Sequence, residues 1–232
     1  MKKIGFIGAY DKTDFILYIA KILTEMGNHV LVIDSTIIQK AKYVVPVINP
    51  TRTYFTEFEG IDVAVGFESI EEMYQYIGLG ENEELDYEYV LIDVDSSNAF
   101  EKFSLDTAEI KYFVTSFDLY SLKKGLEIIS GIQDKIKMTK ILFSKYMSNA
   151  ENEYLDFLSM NYNIEWDTER INFPLEQGDQ TAIIENQRAA KLKTKNLSPQ
   201  YRDNLLIMAS HISGVNNLTE LRKIMKKIDK GE

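Results

Sequence analysis

Residues 2–34 decide the fold and read KKIGFIGAYDKTDFILYIAKILTEMGNHVLVID. The first apolar run is short and stops at Gly8, and apolar residues then recur at helical spacing until Gly27. A continuous apolar run follows and ends at Asp34, which is typical of a parallel strand buried on both faces. This stretch therefore predicts a strand, a helix and a second strand, the βαβ unit of an α/β fold.

The rest of the first 146 residues alternates short β-compatible runs with helical patterns, at 68–77 and 119–136. Such alternation predicts a mainly parallel twisted sheet with helices on both faces. Three of the strand candidates follow one another without a helix, so they predict a hairpin at the edge of the sheet. The strand candidates are 43–48, 51–58, 61–67, 87–95, 110–116 and 139–146.

The C-terminal part is helical and basic. A chain of 232 residues with 45% hydrophobic residues predicts one domain over 1–232, and its basic helical part starts at about 178. The predicted helices are 182–194, 198–213 and 217–230, and the second of them starts with Ser198-Pro199, a helix cap followed by a first-turn proline.

Composition narrows the classes of function. The chain has no cysteine and only two histidines, which excludes thiolate chemistry and argues against zinc. Its apolar runs are too short to span a bilayer and its N-terminus is too acidic for a signal peptide, so we expect a cytoplasmic protein. The net charge of −10 argues against general DNA binding, although ten basic and three acidic residues lie between 186 and 230.

The loop from Gly8 to Thr13 is the candidate ligand site. A loop between the first strand and the first helix of such a sheet presents backbone N–H groups to phosphate. The candidate nucleotide-binding residues are Gly8, Ala9, Tyr10, Asp11, Lys12, Thr13, Asp34 and Asp93.

This loop and its spacing resemble the MinD/ParA class of P-loop ATPases. The family has a deviant Walker A loop, K-G-G-x-G-K-T/S, followed by a helix and a strand of the VLLID type. The resemblance places Lys12 on the P-loop lysine and Thr13 on the magnesium-coordinating hydroxyl. YEYVLIDVDSS resembles the Walker B strand and places Asp93 where magnesium is held through water. Thr13 and Asp93 are thus the metal residues if a magnesium nucleotide binds.

Several positions depart from the family pattern. Ile7 replaces the signature lysine that reaches across the dimer, and Ala9 and Asp11 replace glycines. A carboxylate about 4 Å from phosphate costs about 4 kcal/mol at an effective dielectric near 20, whereas millimolar to micromolar affinity amounts to only about 4 to 8 kcal/mol. Thr36 replaces the second aspartate of the family's D-x-D motif, which helps to position water. We therefore expect weak or absent ATP or ADP and Mg²⁺ binding, and no catalytic residue is assigned.

The resemblance extends over nearly the whole chain and implies a function. TKILFSKYM is similar to a strand of the family that ends in an Asn-Arg pair, and Ser144-Lys145 takes the place of that pair here. INFPLEQGDQTAIIENQ is similar to the strand, proline and acidic residue that lead into the last helices of MinD-like proteins, especially in the TadZ/CpaE and flagellar-placement branches. The implied protein is a catalytically inactive or severely impaired homodimer that positions or regulates a pilus, secretion or conjugation machine through a protein partner.

Two other functions stay open. One is an active ATPase in partitioning or cell-division placement, which would use Lys12, Thr13 and Asp93. The other is an NAD(P)-binding Rossmann protein, since Gly5, Gly8 and Asp34 could be a degraded dinucleotide fingerprint. Lys12 could instead pair with Asp11 or Asp93 inside the loop.

The last predicted helix, 218–230, is amphipathic. Leu218, Leu221, Met225 and Ile228 share one face and the basic residues lie largely elsewhere. It resembles the basic membrane-binding helix of MinD, which implies peripheral membrane contact. The alternative is that its apolar stripe packs on the domain. A separate basic cluster could touch DNA or an acidic partner, but a solvated helical face is the default, so DNA is not expected as a partner. The cluster consists of Arg188, Lys191, Lys193, Lys195 and Arg202.

Overall fold

The computed structural model describes residues 1–47, 51–78, 85–145 and 149–231. Within them, eight strands form one sheet in the order β3-β4-β2-β5-β1-β6-β7-β8. Every neighbouring pair is parallel except β3 and β4, which are antiparallel. The predicted mainly parallel α/β fold is thereby confirmed. The strands are β1 (Lys2–Ile7), β2 (Val30–Asp34), β3 (Tyr54–Phe58), β4 (Ile61–Val65), β5 (Tyr89–Val94), β6 (Ile110–Ser116), β7 (Ile136–Ser144) and β8 (Ile164–Pro174).

Helices cover both faces of the sheet because the central strands are apolar on both. Along β2, Val32 belongs to one buried cluster and its neighbours Leu31 and Ile33 belong to the other. The first cluster includes side chains of α1 (Thr13–Glu25), α7 (Gln177–Ala189), α8 (Pro199–Ser213) and α9 (Leu218–Lys230). The second includes side chains of α3 (Ile70–Ile77), α4 (Ser97–Lys102), α5 (Leu119–Ser130) and α6 (Asn149–Ser159), and a short helix α2 (Ala41–Val44) follows β2.

The predicted edge hairpin is confirmed by the antiparallel pair β3 and β4. The strand candidate at 43–48 is wrong, because Ala41–Val44 is a helical turn; residues 48–50 lie outside the described part. The predicted helix at 119–136 also extends too far. It ends at Ser130, Gly131 follows, and Ile136 already pairs in β7.

The order of the central strands distinguishes two kinds of α/β fold. In the dinucleotide-binding fold the first strand lies directly beside the second. Here β5 lies between them and pairs with both β1 and β2. This order does not fit the Rossmann alternative, because it places the strand of Asp93, and not that of Asp34, beside the phosphate loop.

The amphipathic helix α9 packs on the domain. Leu221, Met225 and Ile228 are buried, and the helix contacts α1 and α8. Leu218 is the exception, since it is 42% exposed. The apolar stripe is therefore part of the core. Among the described helices none is long and apolar enough to cross a membrane.

Candidate functional site

The candidate residues meet at the carboxyl edge of the sheet. Asp34 and Asp93 are register partners at the ends of β2 and β5, and the loop after β1 lies next to them. Gly8 begins this loop with φ +144°, and a Cβ there would lie 2.1 Å from the carbonyl oxygen of Val114 on β6. Only glycine allows so close an approach, and this approach sets the path of the loop.

Lys12 is held inside the loop. It is 2% exposed, its Nζ donates to the carbonyl oxygen of Gly8 at 2.6 Å, and the same Nζ lies 2.7 Å from Oδ1 of Asp93. The pairing with Asp93 is one of the two that the sequence left open. The ammonium group therefore already has a carboxyl group and a carbonyl oxygen as partners.

Asp93 is a buried carboxyl at the base of the loop. Burial raises its pKa to about 7, although the neighbouring Lys12 opposes this rise. Burial also raises the pKa of Asp95, whose carboxylate accepts the backbone N–H of Ile37 at 3.0 Å. Ionisation of Asp93 adds negative charge to the floor of the site above about pH 7, and Lys12 and Lys40 are the ammonium groups among the described residues that line it.

The Asp11 carboxylate is held by a hydrogen bond within the loop and by an ion pair with a lysine. Its Oδ1 accepts the backbone N–H of Thr13 at 3.3 Å, and its Oδ2 lies 2.5 Å from Nζ of Lys40. Lys40 also lies 2.5 Å from Oδ2 of Asp14 on α1. Burial opposes the charge on Lys40, but the two carboxylates outweigh it and raise its pKa. The loop thus carries a triad of two carboxylates and one ammonium.

Lys40 and Asp14 were not among the candidate site residues. Asp14 follows Thr13 directly, so its place in the first turn of α1 was a usable signal. Lys40 lies six residues after Asp34, in a segment with no regular strand or helix pattern. Nothing in the local sequence indicates that its side chain turns back to α1.

Asp34 and Thr36 are joined by two hydrogen bonds. Oδ1 of Asp34 accepts the hydroxyl of Thr36 at 2.6 Å and its backbone N–H at 3.0 Å. Oδ2 of Asp34 accepts the backbone N–H of Ala41 at 2.9 Å. Asp34 therefore anchors the segment that leads to α2.

Ala9 and Tyr10 form the outer part of the loop. The ring of Tyr10 stacks on Phe143 with centroids 4.5 Å apart, and burial raises the pKa of its hydroxyl to about 12. Among the described residues, no acceptor is bonded to the backbone N–H groups of residues 9–12. These donors, at the N-terminus of α1, are of the kind that attracts anions.

The loop encloses little space. The cavity against it has a volume of about 110 Å³ and is lined by Lys12, Thr13, Thr36, Asp93 and Asp95, among others. Ligand pockets for drug-sized molecules occupy roughly 300 to 1,000 Å³. Anion-attracting N–H groups and anion-repelling carboxylates thus share one narrow site.

Known proteins match in structure and not in sequence. No family model matches the sequence, and no curated protein matches it. A chain of the MinC:MinD cell division protein complex of Aquifex aeolicus aligns with a TM-score of 0.63 at 14% identity, covering 93% of this chain and 97% of that chain. A ParA family ATPase from Chlorobium tepidum TLS aligns with a TM-score of 0.60 at 14% identity, covering 90% and 98%. A McdA–ATP complex from Cyanothece aligns with a TM-score of 0.59 at 13% identity, covering 94% and 98%.

The sheet order and the glycine-started loop before α1 give the chain the α/β fold that P-loop NTPases share. The particular fold is that of the MinD and ParA ATPases, which it matches over almost its whole length. This fold was predicted from the loop register, and it is confirmed. Identities of this size show the fold alone.

Proposed function

We propose that this chain is a catalytically inactive or severely impaired MinD/ParA-like protein that positions or regulates a larger assembly, such as a pilus, secretion or conjugation machine. The observation that carries the proposal is the state of Lys12. The lysine that would hold a phosphate is buried between Asp93 and the carbonyl oxygen of Gly8. The lysine therefore has partners inside the protein in place of a phosphate group.

Binding a nucleoside triphosphate would carry a large electrostatic cost. Lys12 would have to leave Asp93, and the phosphates would approach the carboxylates of Asp11 and Asp14. One carboxylate about 4 Å from a phosphate oxygen costs about 4 kcal/mol, and Lys40 can offset only one of the two. Weak or absent binding of ATP, ADP and Mg²⁺ follows, even with free N–H donors in the loop.

Hydrolysis would lack a group to position water. Thr36 occupies the place of the second aspartate in the resembling motif, and its hydroxyl donates to Asp34. Asp34 is buried, and its carboxylate is held by three hydrogen bonds from its own segment, two from Thr36 and one from Ala41. Thr13 and Asp93 could coordinate Mg²⁺ only if a nucleotide displaced Lys12.

The proposed partners are a second copy and a protein of the assembly. Ile37 and Ile38 are 73% and 74% exposed in the segment after β2, and Leu119 and Tyr120 are exposed at the start of α5. Both segments follow the carboxyl ends of strands, so they share the edge that carries the loop. Apolar residues concentrated on one edge mark an interaction surface.

The second candidate is an active partitioning or placement ATPase. The four N–H groups of residues 9–12 favour it, because they have no acceptor among the described residues and could cradle a phosphate. In that case Lys12 would move from Asp93 to the nucleotide. An activity measurement separates the two functions.

The test is phosphate release from ATP with Mg²⁺, measured for the wild-type chain and for Thr13→Val. Valine keeps the shape of threonine and removes the hydroxyl that an active enzyme would place on Mg²⁺. Our proposal predicts that the two proteins show the same background rate. Saturable turnover in the wild type that Thr13→Val abolishes would establish the ATPase instead.

Light scattering after gel filtration tests the proposed dimer. Ile38→Asp places a charge on the apolar edge and should shift a dimer to the monomer. Ile207→Asp is the matched control, since Ile207 is 45% exposed on α8, away from that edge. A monomeric wild-type chain at about 100 µM would contradict the homodimer, because it implies a Kd weaker than that.

A further inference from the structure

A groove with a volume of about 340 Å³ lies between the neighbouring helices α8 and α9. Its floor is apolar, because Leu206 and Met225 line it and are each 2% exposed. Nε of Arg202 donates to Sδ of Met225 at 3.4 Å, which holds the guanidinium over this floor. The α8 wall extends from Pro199 to Leu206, which is about 10 Å at about 1.5 Å per residue. The groove is therefore long enough for about three residues of an extended segment.

Positive charge predominates along the groove. Among the described residues, Arg202, Arg222 and Lys226 line it against one carboxylate, that of Asp203. Lys226 is exposed and, in the part of the chain that the structure describes, makes no hydrogen bond or ion pair. The groove belongs to a wider asymmetry, since ten basic and three acidic residues lie between 186 and 230 in a chain whose net charge is −10. It therefore favours an anionic partner.

The two guanidinium groups of the groove are only loosely held by internal carboxylates. Arg222 lies 3.4 Å from Asp203, and Arg202 lies 3.6 Å from Oδ2 of Asp229. Charge-assisted hydrogen bonds of this kind are normally about 2.7 to 2.9 Å long. Asp229 is held more closely by Thr194, whose backbone N–H donates to Oδ1 at 2.7 Å and whose hydroxyl donates to it at 3.0 Å. Both guanidinium groups can thus accept a better-placed carboxylate from outside.

An acidic protein segment fits this groove better than nucleic acid or a membrane does. The buried floor of Leu206 and Met225 calls for an apolar side chain beside the anions, and a phosphate backbone offers none. The net charge of −10 repels DNA at longer range. Insertion into a bilayer would need the apolar stripe of α9, and that stripe is buried in the core.

We propose that the groove binds an acidic segment of a partner protein in which apolar side chains lie between carboxylates. The apolar side chains contact Leu206 and Met225, and the carboxylates pair with Arg222 and Lys226. The inference rests on the proposed function in one respect, because it names the chemistry of the protein partner. Its test uses neither ATP nor the carboxyl edge of the sheet, so the groove and the inactive loop can fail separately.

Fluorescence anisotropy of a labelled peptide, acetyl-EDELFEDE-amide, titrated with the full chain tests the proposal. The matched probe is acetyl-QNQLFQNQ-amide, which keeps both apolar residues and removes every carboxylate. We expect the acidic peptide to bind about tenfold more tightly or better, with an affinity that falls as salt is added. Equal binding of the two peptides, or no binding of the acidic one, would overturn the proposal.

Two double variants with the same change in net charge locate the site. Arg222→Glu with Lys226→Glu reverses two charges inside the groove. The matched control is Lys223→Glu with Lys227→Glu, which reverses two exposed charges of α9 that line a different cavity. Only the first pair should weaken binding of the acidic peptide, by about tenfold or more, because attraction in the groove becomes repulsion. Equal weakening by both pairs would contradict the groove, since a diffuse positive surface would then attract the peptide.

A third variant should strengthen binding. Asp203→Asn removes the carboxylate that competes for Arg222, so the acidic peptide should bind severalfold more tightly. Thermal unfolding of each variant checks that it folds. Unchanged or weaker binding in this variant would count against the proposal. Displacement of the peptide by a DNA duplex or by phosphatidylserine vesicles, at a lower concentration than the unlabelled peptide requires, would assign the groove to nucleic acid or membrane instead.

Discussion

Replacing Lys12 by methionine should destabilise the fold, and this sets a structural lysine apart from a ligand-binding one. Methionine keeps the length of the side chain and removes the charge. Lys12 is 2% exposed and its partner Asp93 is equally buried, at 2.7 Å. Breaking a buried ion pair by removing one partner costs about 3 to 5 kcal/mol, because the remaining group must either stay charged without a partner or take up a proton.

The cost should depend on pH in a defined direction. Beside Lys12, the pKa of Asp93 is raised to about 7 by burial. Without the ammonium the pKa lies higher still, so above pH 7 the folded variant holds a proton that the folded wild type has lost. The destabilisation therefore grows by about 1.4 kcal/mol per pH unit between pH 7 and the higher pKa.

Urea unfolding followed by circular dichroism at pH 6.5 and pH 8.5 measures both quantities. We expect the free energy of unfolding of Lys12→Met to fall further below that of the wild type at pH 8.5, by about 2 kcal/mol. In the double variant Lys12→Met with Asp93→Asn, the extra pH dependence should disappear. A cost below about 0.5 kcal/mol at pH 8.5, as for an ordinary surface lysine, would refute the buried pairing.

Further substitutions test the loop and the C-terminal helix. Gly8→Ala should destabilise the fold by about 3 kcal/mol or more in thermal unfolding, because the added Cβ would lie 2.1 Å from a carbonyl oxygen. Gly178→Ala is the control and should be near neutral, because no atom lies within 4 Å of the added Cβ. Leu221→Ala should lower the free energy of unfolding in urea by about 2 to 5 kcal/mol, because Leu221 is buried. Leu218→Ala should lower it much less, because Leu218 is 42% exposed. Equal losses for the two variants would show that α9 does not pack on the domain. Lys40→Ala should lower the free energy of unfolding in urea by no more than about 1 kcal/mol, because its ion pairs with Asp11 and Asp14 are partly exposed. This loss should become smaller at high salt.

The fold could be predicted from the sequence because its periodicities are strong. Strand, helix and strand within residues 2–34, with the glycine that ends the first strand, already give the βαβ unit. The Ser198 cap predicts the start of α8, and a clear apolar stripe predicts α9. The strand order could not be read from periodicity, because the insertion of β5 between β1 and β2 depends on contacts between distant segments.

The site was predicted in part. The register from Lys12 to Asp34 placed the loop residues correctly at one edge of the sheet, and the sequence left the pairing of Lys12 with Asp93 as an alternative. The triad of Asp11, Asp14 and Lys40 was missed. Lys40 reaches the loop only because Asp34 turns the following segment back over α1, and a single sequence carries no signal for that turn.

Calorimetric titration of the wild-type chain with ATP and Mg²⁺ tests the central claim most directly. Lys12 is held by Asp93, and Asp11 and Asp14 oppose the phosphates. The account predicts no binding tighter than about 1 mM, which corresponds to about 4 kcal/mol. Micromolar affinity would contradict it, because Lys12 would then have exchanged its internal partner for a nucleotide.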